Sequence, residues 1–147
     1  MKKSAFIIIV ATLLGLVGCT TPPMTTVQPT LIPPERTLGF QTNVNNGATI
    51  VVNRDSEFLS GAGCLLSVLI DGKTAANIAA GETGRFFVEP GQHIVGVSGG
   101  SLADGHCAIQ PAQPPVQSVT VVNSGQVQKF RISGGENTAL AIRPTSL

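Results

Sequence analysis

The sequence predicts an all-β fold, a single antiparallel β-sandwich of about seven or eight short strands that follows a cleaved leader and a Pro/Thr-rich tether. Between residues 46 and 147, short β-branched and aromatic runs alternate with clusters of Gly, Pro, Asn and Asp. Within those runs the apolar residues recur at every second position, the period of a strand with one buried face. No window sustains the period of an amphipathic helix.

The strands are read in order. Thr49-Ile50-Val51-Val52 is a β-branched run that ends at Asn53-Arg54-Asp55, and Ser60-Gly61-Ala62-Gly63 is a loop. Cys64 to Ile70 is a second strand, and Asp71-Gly72 after it is a strong hairpin signal, because a type I′ turn needs positive φ at both central residues. Lys73 to Ile78 returns as a strand, and Gly84 to Val88 is another after the turn at Ala80-Gly81-Glu82. Pro90-Gly91 fits the centre of a type II turn, from which His93 to Val97 departs. A glycine- and proline-rich stretch from Ser98 to Pro115 separates these strands from Ser118–Val122, Val127–Ile132 and Thr138–Ile142, the last stopped by Pro144. Alternation places Ile50 with Val52, Leu66 with Val68 and Ile70, Phe86 with Val88, and Phe130 with Ile132 on core faces. Cys64 shares the phase of Leu66 and is expected to point inward.

The N-terminus has a different character. Lys2 and Lys3 lead into an apolar run from Ala5 to Leu16, which ends in Leu16-Val17-Gly18-Cys19. The run is shorter than the roughly 20 residues a helix needs to span a bilayer. The pattern resembles a bacterial lipoprotein signal peptide with its lipobox. That resemblance implies cleavage before Cys19, a diacylglycerol on its thiol and acylation of the new amino group, so that two or more chains hold the protein on a membrane. Thr20 stands where an Asp favours inner-membrane retention in that family, which implies the outer membrane, facing the periplasm. The expected organisation is a signal peptide over residues 1–18, a lipidated cysteine and flexible tether over 19–45, and the sandwich over 46–147. The tether is inferred from Pro22, Pro23, Pro29, Pro33 and Pro34 and from the lack of hydrophobic periodicity.

With Cys19 lipidated, Cys64 and Cys107 remain, and an even number in an exported chain favours a disulfide; free thiols or a metal site are the alternatives. Bridging them would close a loop of roughly 44 residues and contribute about 4 kcal/mol on the chain-entropy model.

The segments Val68-Leu69-Ile70-Asp71-Gly72-Lys73, Gly81-Glu82 and Val88-Glu89-Pro90-Gly91-Gln92-His93 resemble the PEGA-like β domains of small bacterial envelope proteins. The match covers about the middle third of the mature chain and consists mostly of turn residues. It implies a surface or periplasmic β-sandwich and brings no catalytic residues with it.

Composition narrows the function classes. The chain carries nine Lys and Arg against eight Asp and Glu, and loss of Lys2 and Lys3 with the leader moves its formal charge from +1 to about −1. No basic cluster in the sequence marks a nucleic-acid site, and Trp and Tyr, the usual stacking residues, are absent. Gly96-Val97-Ser98-Gly99-Gly100 matches the G-x-S-x-G nucleophile elbow literally, with Asp104 and His106 following. The elbow requires a strand-to-helix turn in a large α/β sheet, and no such context is present. His93, His106, Cys64 and Cys107 lack the closed spacings of a structural zinc site. Neither an enzyme nor a cofactor is therefore expected. Arg85, Lys129 and Arg131 either cluster on one sheet face to meet an anionic glycan or lipid, or are solvated positions guarding strand edges. The Ser98–Pro115 loop, with Ser98, Asp104 and His106, is the expected contact surface. The resulting expectation is a lipid-anchored envelope protein whose sandwich is a binding or structural module for an envelope protein or glycan. An inhibitor or immunity-type lipoprotein with one protein partner is the alternative, and an envelope hydrolase using Ser98 is the remaining one.

Overall fold

A computed structural model of the chain describes residues 28–56, 64–99, 114–135 and 138–146. Those residues form two packed sheets. The strands are β1 (Thr30–Leu31), β2 (Ala48–Arg54), β3 (Leu66–Ile70), β4 (Lys73–Ile78), β5 (Glu82–Val88), β6 (Gly91–Ser98), β7 (Val116–Val122), β8 (Val127–Gly135) and β9 (Thr138–Thr145). One sheet has the order β1-β5-β2-β8-β9 and the other β4-β3-β6-β7. The all-β sandwich read from the sequence is the observed architecture.

The expected core faces pack together. Ile50, Val52, Val68, Ile70, Phe86, Val95, Val97 and Phe130 are fully enclosed, and Leu66, Val88, Ile132 and Ile142 nearly so. Asp71 and Gly72 have φ of 51° and 76° and close the β3–β4 hairpin as a turn with positive φ at both central residues should.

Four details differ from the sequence reading. First, the sheets are not wholly antiparallel: β2 runs parallel to β8, and β1 parallel to β5. A parallel neighbour needs a long crossover, and the excursion through the opposite sheet between β2 and β8 provides it. Second, Gly91 has φ of 143°, not the about +80° of a type II turn, because β5 and β6 lie in different sheets and the Pro90-Gly91 link crosses between them. Third, Pro144 does not stop the last strand. It lies within β9, opposite Phe130, on an edge strand where a missing N–H costs no ladder bond.

Fourth, residues 28–45 are not a free tether. β1 pairs with β5, and Pro34–Arg36 form a single 3-10 turn. The Leu38 and Gly39 N–H groups donate to the Ala75 carbonyl at 2.8 and 3.0 Å, and Phe87 N–H donates to the Phe40 carbonyl at 2.8 Å. Ile32 is buried, and Phe40 packs against the core from a left-handed backbone with φ of 60°. Such a conformation is disfavoured for a bulky residue and persists only when its surroundings fix it. Among the described residues the contacts with the sandwich therefore begin at Thr30. The segment lacks periodicity because it covers an edge of the sandwich instead of presenting one face to a core.

Candidate functional site

Register decides which side chains meet on the outer face of the five-stranded sheet. Arg85 on β5 lies opposite Val51 on β2, Val51 opposite Lys129 on β8, and Lys129 opposite Thr145 on β9. In the next row Thr83 faces Asn53, Asn53 faces Arg131, and Arg131 faces Arg143. Residues directly opposite point to the same face, so Arg85, Lys129, Arg131 and Arg143 converge on one surface. With strands about 4.8 Å apart, Arg85 and Lys129 flank Val51 at about 10 Å, and Arg131 and Arg143 are immediate neighbours. Like charges directly opposite are destabilising, so this arrangement is not explained by sheet stability. Asp55 offsets part of the charge, with its carboxylate accepting from Arg131 Nε at 2.7 Å.

Lys129 and Arg131 sit on the interior strand β8, so edge protection does not account for them, whereas Arg85 lies beyond the two residues of β5 that β1 covers and Arg143 is on the edge strand β9. Two open cavities border the face. A notch of about 490 Å³ at the β8–β9 end is lined by Val127, Gln128, Lys129, Pro144, Thr145 and Ser146. A groove of about 280 Å³ beside β1 includes Leu31, Gln41, Phe87 and Arg85. Guanidinium and ammonium groups over an apolar floor can hold carboxylate or phosphate oxygens, Arg through paired N–H donors.

The other charged clusters hold the scaffold. Arg36 forms a two-pronged ion pair with Glu82, in which Nη1 donates to Oε2 at 2.8 Å and Nη2 to Oε1. Glu82 Oε2 also accepts the Ala79 N–H at 2.8 Å. The hydrogen bond to Glu82 raises the Arg36 pKa against the opposing effect of burial. Arg54, 8% exposed, donates to the carbonyls of Cys64 and Ile78. Burial lowers its pKa and the Glu82 charge partly restores it. None of these roles was visible in the sequence, because each joins residues distant along the chain.

The His93 side chain is largely enclosed, with Nδ1 2.7 Å from Asp71 Oδ2 and Nε2 2.8 Å from the Glu89 carbonyl. Both ring nitrogens face acceptors, which fits an imidazolium donating twice. Burial pulls its pKa down, but these hydrogen bonds outweigh it and the net shift is upward.

Ser98 is the last residue of β6 and pairs in register with Ser67, as a ladder residue of a β-sheet. Cys64 is buried and points inward. Cys19, Asp104, His106 and Cys107 lie outside the described residues, as does most of the Ser98–Pro115 loop. Among the described residues no group of three or more His, Cys, Asp or Glu is arranged to hold a metal ion, and no helix is long and apolar enough to cross a membrane.

No family model matches the chain, and no curated protein is significantly similar to it. The PEGA-like resemblance therefore rests on the turn residues alone.

Proposed function

We propose that this protein is a lipid-anchored cell-envelope binding module. In this reading the lipid is on Cys19, the location is the periplasmic side of the outer membrane, and the ligand is an anionic envelope component recognised by the outer face of the five-stranded sheet. The observation that carries the binding role is the convergence of Arg85, Lys129, Arg131 and Arg143 on that face, with Asp55 the carboxylate bonded there among the described residues. The anchor rests on the lipobox pattern around Cys19. In this reading Cys19 is acylated and Cys64 is bridged to Cys107.

The two halves of the proposal are tested separately. Cys19→Ser in cells removes the acyl acceptor, so the protein carries no acyl chains and accumulates unprocessed with its leader attached. A variant that still matures and sediments with membranes overturns the anchor. For the face, purified protein from Thr20 onward, without leader or acyl chains, is mixed with vesicles of anionic or zwitterionic lipid and with a soluble polyanion. Each cation near an anionic surface contributes about 1 kcal/mol. Neutralising Arg85, Lys129 and Arg143 together removes about 3 kcal/mol, or about 150-fold in affinity. Equal binding by the triple Gln variant, or no binding by the parent protein, overturns the cationic-face role.

A further inference from the structure

The two sheets expose four edges, and three of them are blocked against pairing. β1 is only two residues long. The β4 edge is covered by Thr37, Leu38 and Gly39, through the Thr37–Ala76 bridge and the two bonds to the Ala75 carbonyl. β9 carries Arg143 and Pro144. Short length, cover, charge and proline are the recognised ways of keeping a sheet edge from recruiting another strand.

β7 is neither short nor charged nor broken by proline, and β9 of the opposite sheet runs close to it without pairing with it. Its sequence Val116-Gln117-Ser118-Val119-Thr120-Val121-Val122 has no charge, no proline and no glycine, and it is rich in β-branched residues. It pairs with β6 on one side, and among the described residues nothing is hydrogen-bonded along the other. Its outer face is apolar and open: Val119 is 60% and Val121 63% exposed, and Ile94, opposite Val119, is exposed as well.

We infer that β7 is a homodimer edge, where a second copy of this chain pairs antiparallel with it about a two-fold axis through Val119. The sequence is complementary to itself in that register. Val116 meets Val122, Gln117 meets Val121, Ser118 meets Thr120, and Val119 meets its own copy. The inward set (Val116, Ser118, Thr120 and Val122) stays on the core side, and the outward set stays outside, as a continuous sheet requires. The two four-stranded sheets would become one eight-stranded sheet. Hydroxyl pairs and β-branched pairs are favourable cross-strand neighbours, and an uncharged strand brings no like-charge repulsion to its own copy. A two-fold contact of this kind closes at two subunits and does not propagate.

The test uses the whole mature chain. Sedimentation equilibrium is expected to show twice the monomer mass, falling to the monomer on dilution. Val119→Lys places two ammonium groups face to face at the axis and should abolish the dimer. Because Val119 is exposed, the monomer should melt as the parent subunit does. Val119→Cys should crosslink to its copy under mild oxidation, whereas Ile94→Cys, one strand further in, should not. A parent protein that is monomeric at the highest soluble concentration overturns the inference, whether its edge is left free, covered by its own chain or used by a different protein. A dimer that survives Val119→Lys, or an equal crosslink through Ile94→Cys, overturns it too.

Discussion

Replacing Arg36 by Met removes the cation that holds the 28–45 segment to Glu82. Glu82 is 8% exposed, and its Oε2 keeps only the Ala79 N–H after the change. Removing one partner of a buried pair costs about 3–5 kcal/mol, because a desolvated charge is left behind. The side chains here retain 22% and 11% of their exposure, and Arg54 still lends Glu82 some positive potential, so about 2–3 kcal/mol is expected. For a domain of this size that is a fall in Tm of about 10–20 °C. The assay is a double-mutant cycle by urea and thermal unfolding, with Arg36→Met, Glu82→Met and the pair together. The double variant should be more stable than the sum of the single losses predicts, because no unpaired charge remains. A cost for Arg36→Met below about 0.5 kcal/mol, the scale of an exposed ion pair, would refute docking of this segment as an energetic part of the fold.

A Cβ at Gly47 would meet the backbone oxygens of Val44 and Val88 at 2.7 and 2.9 Å, so Gly47→Ala should cost about 1–3 kcal/mol in urea unfolding, and an unchanged midpoint would contradict that contact. The pKa of His93 is raised in the folded protein, so its contribution to stability is fully present below the unfolded value of about 6.5 and is lost as pH rises through the folded value. Chemical denaturation across that interval should show stability falling with pH in the parent protein and a flatter profile in His93→Gln; identical profiles would remove His93 from the linkage. Non-reducing peptide mass spectrometry of the exported protein should recover Cys64 joined to Cys107, and two alkylatable thiols without reductant would exclude the bridge.

Much of the sandwich was legible because alternation is a local property. Ile50 and Val52, or Phe86 and Val88, announce a buried face within a few residues, and Asp71-Gly72 specifies its turn by backbone preference alone. What escaped is non-local. The Arg36–Glu82 pair spans 46 positions, and the bonds from Leu38, Gly39 and Phe40 to β4 and β5 are made by backbone atoms that no side-chain pattern reports. Pro144 reads as a stop unless its strand is known to be an edge. The cationic face depends on register: Arg85 and Lys129 flank Val51 only because β5 and β8 both neighbour β2, and a slip of one residue in either would send the charge to the opposite side. Arg143 joins them through a strand that the sequence reading ended just before it.

The docked segment changes what an anchor at Cys19 would do. A tether running to Asn46 could extend at most about 90 Å, enough to let the sandwich roam far from a membrane. Docking from Thr30 onward leaves ten residues after the cysteine, at most about 35 Å when fully extended, comparable with the diameter of the domain itself. The chain then enters the fold at β1, which borders β5, the strand that carries Arg85. If Cys19 is acylated as proposed, a short leash attached at one edge of the five-stranded sheet would keep that sheet within reach of anionic headgroups and of polymers lying against them. The same leash would raise the local concentration of neighbouring copies, which would favour pairing through β7 on the other sheet. Confinement by such an anchor would therefore favour both surfaces, and because they lie on different sheets a dimer would present two cationic faces to the same envelope layer.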